Sequence, residues 1–311
     1  MRTLQEYADL SNDALIAGYV ETILKESPLM DRIKWDNLVG NATWWNREDE
    51  DNPPGIRFYQ PGEVWQESTG KTTKHSVTLV TMGGDVDTDL YAQLTRSNIN
   101  DQHKIDIKMK AKAMARFFEE KAVYGRASAG EFDGLHAWVA TLPTTQQLHM
   151  GSGTAGAPLT IKKLHQLCDA IRGGPPDILL MNRQTRLNLQ MYLEEKAICQ
   201  TERDRFGRLF TLFRDIPCVV SDHLTQTERL SSGAYAGPTG GNTTSIFAIR
   251  FDDADGVIGF QNGEIRKRHW PELESKNAMR TRFYWYLTLA CLGAKCLARL
   301  DGITDAPVTS V

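Results

Sequence analysis

The segment between Trp44 and Met82 constrains the fold of this chain more than any other part, because it has no helical period and cannot bury itself. Two β-like runs, Ala42–Asn46 and Ser76–Met82, flank a polar tract that is rich in proline and glycine. Paired as a hairpin, this stretch would reach about 60 Å, at about 3.3 Å per residue along each leg. A lone two-stranded hairpin is marginally stable in water, so we expect it to lie on another surface, for which a second copy of this chain is the simplest candidate.

The composition is that of a globular protein. Of its 311 residues, 41% are hydrophobic and 24% are charged, which allows one to three domains and a sizeable core. The net charge of -3 argues against neutralisation of nucleic acid over the whole surface, although a local basic face is compatible with it. Five cysteines without a CxxC pair indicate reduced thiols rather than a disulfide framework or a zinc site.

The sequence carries no signal for secretion or membrane insertion. The opening residues lack an apolar signal core. The longest apolar run, Phe283–Ala294, is too short to span a bilayer. Together with the reduced cysteines, this predicts a soluble protein that folds in a cytosolic compartment.

Two helical patterns flank the extended segment. Residues 1–30 repeat apolar side chains at three- to four-residue steps, which predicts a helical arm that ends near Pro28. A longer helix, here called the spine helix, is predicted from Asn98 or Asn100 to Tyr124. Its apolar stripe predicts one buried face: Ile107, Ala111, Met114 and Phe118.

The second half of the chain alternates between helical and strand patterns, as in an α/β module. Residues 140–160 are predicted to be a linker. Helices are predicted over 160–171 and 183–198, and strands over 178–181, 218–220, 246–249 and 257–260. Asn262-Gly263 is typical of a hairpin turn. A period-two alternation beginning at Arg282 predicts a long final strand.

Catalytic and metal-binding signatures are absent from the sequence. It has no GxSxG, HExxH or P-loop motif. The three aspartates in a predicted turn at 83–89 mimic the start of a calcium loop, but Leu90 stands where such a loop needs glycine. A dyad of Cys168 and His165 lacks a third, orienting group. We therefore expect no catalytic, cofactor or metal site, and the alternative from another class is an α/β enzyme with an unrecognised motif.

Two residue sets are candidate interaction sites. The first follows the spine helix at steps of four as a basic band: Lys104, Lys108, Lys112 and Arg116. It is either a solvated face or a surface for phosphates without sequence preference, and Arg266–His269 allows the same two interpretations. The second set is aromatic, and exposed loops rarely carry so many aromatics without a partner, although some could pair across the hairpin: Trp44, Trp45, Phe58, Tyr59 and Trp65.

The order of these pieces resembles the major capsid protein of tailed bacteriophages, which has the Hong Kong 97-type fold that encapsulin nanocompartments share. The resemblance covers nearly the whole chain, in its order and spacing: Leu4–Ser11 with Glu26–Leu29, the hairpin from Gly40 to Asp87, the spine helix closing into Glu131–Leu135, Ile178–Asn182, Ile246–Phe251 and Arg282–Leu300. It implies an α+β fold in four parts: an N-terminal arm (1–39), an extended loop that is a long β-hairpin (40–84), a peripheral domain (85–139 and 263–311) and an α/β axial domain (140–262).

The resemblance also implies a function. It implies a structural, non-enzymatic subunit that self-assembles as pentamers and hexamers into an icosahedral phage head around double-stranded DNA, in the host cytoplasm. The extended loop would then lie across a neighbouring subunit, and the basic band would face the DNA. A portal, a decoration protein and a scaffolding protein are implied partners, and the short arm with its start at Met1 favours a separate scaffolding protein. No cofactor or membrane is implied. The alternative with the same fold is an encapsulin shell that loads a cargo enzyme.

Some members of this family join a loop lysine to a distant asparagine by an isopeptide bond. Lys71 and Lys74 lie near the predicted loop tip, and Asn277 lies late in the chain. The chemistry also needs a carboxylate in an apolar pocket, which a sequence does not reveal. Covalent cross-linking is therefore an open alternative.

Overall fold

A computed structural model describes residues 27–48, 56–67, 71–96, 102–151, 153–203, 207 and 209–310. In this part of the chain, helices pack on a five-stranded and an eight-stranded sheet, and two further strand pairs stand apart. The predicted α+β class is confirmed. The helices predicted before residue 27 lie outside the described residues.

The elements follow one another in this order. The helices are α1 (Pro28–Arg32), α2 (Leu90–Arg96), α3 (Gln102–Tyr124), α4 (Leu135–Ala140), α5 (Ile161–Ala170) and α6 (Arg183–Glu195). The strands are β1 (Trp35–Asn37), β2 (Ala42–Glu48), β3 (Thr72–Thr78), β4 (Val80–Asp89), β5 (Gln147–His149), β6 (Ala157–Thr160), β7 (Ile178–Met181), β8 (Gln200–Arg203), β9 (Leu209–Phe213), β10 (Ile216–Val220), β11 (Arg229–Ser231), β12 (Ala234–Gly237), β13 (Thr243–Ile249), β14 (Val257–Gln261), β15 (Arg266–Trp270), β16 (Ala278–Cys291) and β17 (Leu297–Thr309).

The first sheet is built around the long strand β16. β4 runs antiparallel along one edge of β16, while β14 and β15 lie end to end along the other edge. β1 extends the sheet by pairing in parallel with β14. The predicted hairpin at Asn262-Gly263 is therefore wrong. β14 and β15 do not pair with each other, because β16 is long enough, at 14 residues, to pair with both.

Residues 83–89 are strand, and the prediction of an acidic turn there is wrong. Glycine and aspartate favour turns locally, but β4 continues through them because each residue pairs with β16. The register sets Asp85 opposite Arg282 and Asp87 opposite Arg280. Each arginine holds its aspartate through two hydrogen bonds of 2.6 to 2.8 Å. The carboxylates predicted to line a turn are thus cross-strand ion pairs.

We expect these ion pairs to make the free energy of unfolding vary with pH in the acid range. Hydrogen bonds from Arg282 and Arg280 lower the pKa of Asp85 and of Asp87 below the usual aspartate value. An aspartate whose pKa is lower in the folded than in the unfolded state stabilises the fold at pH values above its unfolded-state pKa of about 3.9. This contribution is lost as the pH falls through the folded-state pKa.

In the double variant Asp85→Asn with Asp87→Asn, the free energy of unfolding should therefore fall less steeply than in the wild type as the pH is lowered below about pH 4. Urea denaturation across the pH range measures both slopes. High salt should shrink the difference from wild type, because the paired side chains are partly exposed to solvent. Identical pH profiles for the two proteins would contradict the expectation.

The second sheet has the strand order β5-β17-β13-β7-β10-β9-β8, with β6 also paired to β17. β7 and β10 run parallel, and β5 and β6 run parallel to β17. Alternate residues of β7 enter different cores, as the period of a strand requires. Leu179 and Met181 pack with α5 and α6. Ile178 and Leu180 join the core that contains α3.

Two predictions in this region need correction. The single final strand predicted from Arg282 is two strands, because the chain turns between Cys291 and Leu297 and β17 then enters the second sheet. The predicted linker at 140–160 contributes β5 and β6, since β17 offers them an edge. The four-part domain division stays a prediction, and the pairing of β17 favours assigning residues 297–309 to the axial part.

The arm helix predicted to end near Pro28 lies outside the described residues, and Pro28 itself begins a helix. It is the first residue of α1, where its missing N–H costs nothing. The Ser27 side chain caps this helix by accepting a hydrogen bond from the Met30 amide at 3.3 Å. Leu29 and Met30 are buried in the core with α3. The chain is therefore anchored in the body from residue 27 onward.

The spine helix is confirmed as α3, and its predicted apolar stripe from Ile107 to Phe118 is buried. Trp35 of β1 fills the space between this helix and the first sheet. Its ring centroid lies 4.6 Å from that of Trp285 and 6.0 Å from that of Phe118. Among the described residues, no helix combines the length and the apolar character that a membrane crossing requires.

Gly259→Ala is expected to destabilise this core by about 1–3 kcal/mol. A Cβ atom at Gly259 would lie 2.5 Å from the buried Trp35 ring. The ring is held between Trp285 and Phe118 and has little room to move. Urea denaturation of Gly259→Ala measures the loss, and Gly237→Ala is the matched control because its added Cβ would come no closer than 4.0 Å to Arg229. Equal stability of the two variants would contradict the expectation.

Candidate assembly surface

The extended loop is a hairpin of β2 and β3, and its two strands pair over seven residues each. This confirms the predicted hairpin, but its second leg ends at Thr78. The following strand, β4, leaves the loop for the first sheet. Because side chains alternate along a strand, neighbouring tryptophans of β2 point to opposite faces. Trp45 faces the body, with its ring centroid 6.0 Å from that of His75 and 5.9 Å from that of Trp138.

The other loop aromatics are more exposed. Trp44 is 62% exposed, with the Lys74 ammonium 4.5 Å from its ring centroid. Phe58 is fully exposed, and Trp65 is 76% exposed even though it stacks on Tyr59 at 4.2 Å. Of the five aromatics predicted to contact a neighbour, Trp44, Phe58 and Trp65 therefore present open apolar surface. Trp45 packs on its own subunit, and Tyr59 is partly covered by Trp65.

The base of the loop is fixed by Arg47, which sequence reasoning missed. Its side chain is buried and donates hydrogen bonds to the carbonyls of Cys291 at 2.6 Å and Leu292 at 3.3 Å. These carbonyls belong to the turn between β16 and β17. Arg47 thus sets the direction of the loop relative to the junction of the two sheets. Nothing in the sequence distinguishes this arginine, because its partners are main-chain atoms more than 240 residues away.

The basic band lies along one ridge of α3, as the spacing of its residues predicts. Lys104, Lys108 and Arg116 are exposed and Lys112 is partly buried. A second row on the outward side of the same helix was missed by sequence reasoning. It is apolar, and its large side chains are Ile105, Met109 and Phe117, which are 40%, 57% and 48% exposed and are separated by steps of four and eight. The helix therefore presents cations and apolar side chains next to each other.

Arg266–His269, the second basic cluster, falls on β15. In the described part of the chain this strand pairs only with β16, so it is an edge of the first sheet. Charged side chains are common on exposed edges, where they oppose unwanted strand pairing. Of the residues considered for cross-linking, Lys71 lies just before β3, Lys74 lies on β3 and Asn277 lies just before β16. Cross-linking stays an open alternative.

The most extensive buried polar cluster described joins the end of α3 to α4 and the second sheet. The Glu228 carboxylate accepts hydrogen bonds from the Tyr124 hydroxyl at 2.7 Å, the His136 ring at 3.0 Å and the Ser245 hydroxyl at 2.5 Å. On its other nitrogen, His136 accepts from Arg299 at 3.3 Å. Arg299 also binds the fully buried Asp301. We call this set the Glu228 cluster.

The Glu228 cluster is built for structure and does not have the geometry of a hydrolase triad. Burial is the main cause that lowers the His136 pKa, so the ring is neutral and uses its one proton for Glu228. The Ser245 hydroxyl donates to the Glu228 carboxylate and not to the imidazole, so the serine–histidine hydrogen bond of such a triad is not formed. Ser245 is also fully buried.

The Cys168 dyad weighed from sequence is no better suited to catalysis. Burial raises the pKa of the Cys168 thiol to about 11, which keeps it protonated and unreactive at neutral pH. His165 accepts a hydrogen bond from Arg214 at 3.4 Å. A cavity of about 330 Å³ adjoins Cys168, lined also by Asp169 and Arg214, but these two side chains bind each other.

Comparison with known proteins supports the fold and no closer relationship. No family model matches the chain, and no curated protein matches it in sequence. Among solved structures, the SrpI encapsulin from Synechococcus elongatus superposes with a TM-score of 0.68 at 18% identity, over 100% of this chain and 99% of the encapsulin. The capsid of a native GTA particle gives 0.58 at 12% identity, over 91% and 90%.

Mycobacterium phage Bobi gives a TM-score of 0.55 at 11% identity, over 90% of this chain and 89% of the phage chain. A virus-like particle from Pyrococcus furiosus gives 0.53 at 9% identity, over 92% and 97%. These matches cover 90% or more of this chain. The chain therefore has the Hong Kong 97-type fold of phage capsid and encapsulin shell proteins.

Proposed function

We propose that this chain is a structural subunit that self-assembles as pentamers and hexamers into a closed shell. The observation that carries the proposal is the extended loop, which is fixed at its base by Arg47 and presents Trp44, Phe58 and Trp65 to solvent. Exposure of apolar side chains of this size to water is unfavourable, so such a surface favours contact with a second copy. The full-length likeness to shell proteins supports the same conclusion.

We infer that the shell is a phage head that encloses double-stranded DNA. The similarity to phage and GTA capsids supports this inference, and the basic band on α3 offers cations for phosphates. In this proposal the subunit resides in the virion capsid and assembles in the host cytoplasm. A separate scaffolding protein, a portal and a decoration protein are its proposed partners.

A second candidate is a nanocompartment shell of the encapsulin type. It is favoured by one observation, the match over 100% of this chain and 99% of the SrpI encapsulin, at a TM-score above those of the phage capsids named above. The two candidates share the subunit fold and the loop contacts. They differ in content, which is packaged DNA in one and a cargo enzyme in the other.

We propose a non-enzymatic role in both cases. The Ser245 hydroxyl is hydrogen-bonded to a carboxylate and not to an imidazole, and the Cys168 thiol is protonated. These observations argue against Ser245 and Cys168 as nucleophiles. The neighbours in structure are shell proteins.

Electron microscopy of the purified chain, with light scattering on the same sample, tests the proposal. Closed shells, or rings of five or six subunits, are expected. A chain that stays monomeric at high concentration, even with a scaffolding partner supplied, would overturn the shell hypothesis. Nuclease-resistant DNA in shells recovered from the native host would support the phage head. Shells that hold a co-purified enzyme and no DNA would support the nanocompartment.

A further inference from the structure

The turn between the two sheets brings two cysteines together. Cys291 is the last residue of β16, and Cys296 immediately precedes β17. Both side chains are buried, and their sulfur atoms lie 2.9 Å apart. Each sulfur also lies 3.4 Å from the carbonyl oxygen of Gly293. The S–S bond of a disulfide is about 2.0 Å long, so an approach of about 0.9 Å would allow these sulfurs to bond.

The spacing of the two sulfurs favours a disulfide over a shared metal ion. Two thiolates bound to one zinc ion in a tetrahedral site, at about 2.3 Å each, lie about 3.8 Å apart, which is farther than these sulfurs stand. In the part of the chain that the structure describes, no group of three possible metal ligands occurs. The pair therefore has the arrangement of a dithiol.

The surroundings of the pair give its two thiols different reactivity. Hydrogen bonding by the Cys291 thiol lowers the pKa of the Cys296 thiol against the effect of burial, and the nearby Arg47 guanidinium lowers it further. The same hydrogen bond raises the pKa of Cys291. Because the thiolate is the reactive form, Cys296 is the nucleophile and Cys291 the resolving thiol. The four residues between them are partly exposed, so the turn that joins them lies at the surface, within reach of a small oxidant.

The position of the pair would give a bond between its sulfurs a structural effect. The main chain of Cys291 pairs with Val257 in the first sheet. The carbonyl of Cys296 accepts a hydrogen bond at 2.9 Å from the amide of Arg250, which directly follows β13 of the second sheet. Arg47, at the base of the extended loop, donates to the carbonyl of Cys291. A disulfide would therefore tie the two sheets together at the point that holds the loop.

We propose that Cys291 and Cys296 are a reversible disulfide site, oxidised by hydrogen peroxide, that locks the turn between the two sheets. The Cys296 thiolate attacks one peroxide oxygen, the O–O bond breaks, and the leaving hydroxide takes up the proton that Cys296 lost, which gives one water. The Cys291 sulfur then attacks the sulfur of the Cys296 sulfenic acid. The S–S bond forms, the S–O bond breaks, and the leaving hydroxide takes the Cys291 proton to give a second water. The inference stands independently of the shell hypothesis, because it concerns one chain.

Peptide mapping of the full chain after treatment with hydrogen peroxide tests the proposal. Two of the five cysteines should become unreactive toward alkylation in the denatured protein, and reduction with dithiothreitol should restore both. Trypsin cleaves after Lys295, so the unreduced digest should contain residues 283–295 linked to residues 296–299. Five reactive thiols after treatment, a sulfinic acid at either position, or a link to another cysteine would overturn the proposal.

Cys296→Ala should abolish the linked peptides. Cys218→Ala is the matched control, because Cys218 is equally buried but lies on β10, and it should leave the link unchanged.

Urea denaturation measures the locking of the turn. The equilibrium constant for unfolding should be at least about tenfold smaller for the oxidised than for the reduced wild type, because the bond closes a short loop in the unfolded chain. The same treatment should not change the unfolding of Cys296→Ala. Equal unfolding of the oxidised and reduced wild type would contradict the proposed locking.

Discussion

Glu228→Ala is expected to lower the free energy of unfolding by about 3–5 kcal/mol, the largest loss we expect from a single polar substitution in this chain. The substitution removes the acceptor shared by Tyr124, His136 and Ser245. The donors on His136 and Ser245 would then be left buried without this acceptor, and each unmade buried hydrogen bond carries a desolvation cost. The effect should also reach the contact between the spine helix and the second sheet, since Tyr124 ends α3 and Ser245 lies on β13.

Urea denaturation followed by circular dichroism measures this loss. Glu228→Gln should cause an intermediate loss of unfolding free energy. It keeps the shape of the side chain and one oxygen acceptor, but its amide N–H groups would face other hydrogen-bond donors. Glu195→Ala is the matched control, since Glu195 is an exposed residue paired with its neighbour Lys196, and its change should stay within about 0.5 kcal/mol of wild type. If Glu228→Ala unfolds at the same urea concentration as Glu195→Ala, the structural role of the cluster is refuted.

The second large effect concerns assembly. Replacement of Trp44, Phe58 and Trp65 together by alanine should abolish shell formation while the subunit stays folded. Buried interface aromatics typically cost about 2 kcal/mol or more each when truncated, and a closed shell repeats that loss at every loop contact. The same three side chains are exposed within one subunit, so their removal should leave its core intact.

Electron microscopy and light scattering would report the loss of shells, and thermal unfolding would report the fold. Trp45→Ala is the informative comparison, because this ring packs toward Trp138 in its own subunit. It should lower the unfolding temperature, whereas the triple variant should not. Normal shells from the triple variant would refute the proposed role of the loop aromatics. A triple variant that fails to fold would show that these side chains act within the subunit.

Much of the fold was predictable wherever the signal is local. The spine helix and its buried stripe follow from apolar residues at helical steps, and α3 ends at the predicted Tyr124 and has this buried face. The hairpin of β2 and β3 follows from two extended runs around a turn-rich tract. Periodicity reports such elements because it depends only on residues that are close in the sequence.

The errors arise where distant partners decide. Residues 83–89 look like a turn, yet they are strand because β16 offers pairing along its whole edge. The alternation after Arg282 is real, but alternation does not say that β17 enters a different sheet. In each case a long-range hydrogen-bond ladder outweighs local preference.

The candidate sites divide in the same way. The sequence by itself determined the order of elements, the basic band on one ridge of α3 and an extended loop rich in aromatics, because these depend on residue type and spacing. Only the tertiary structure decided that Trp44 faces solvent while Trp45 faces the body, that Arg47 fixes the loop, and that the apolar row on α3 is left exposed. Only the tertiary structure assembled the Glu228 cluster, because the hydrogen-bond donors to Glu228 lie up to 104 residues from it in the sequence. The physical reason is that burial and hydrogen bonding depend on which distant segments meet, and a local pattern does not encode that meeting.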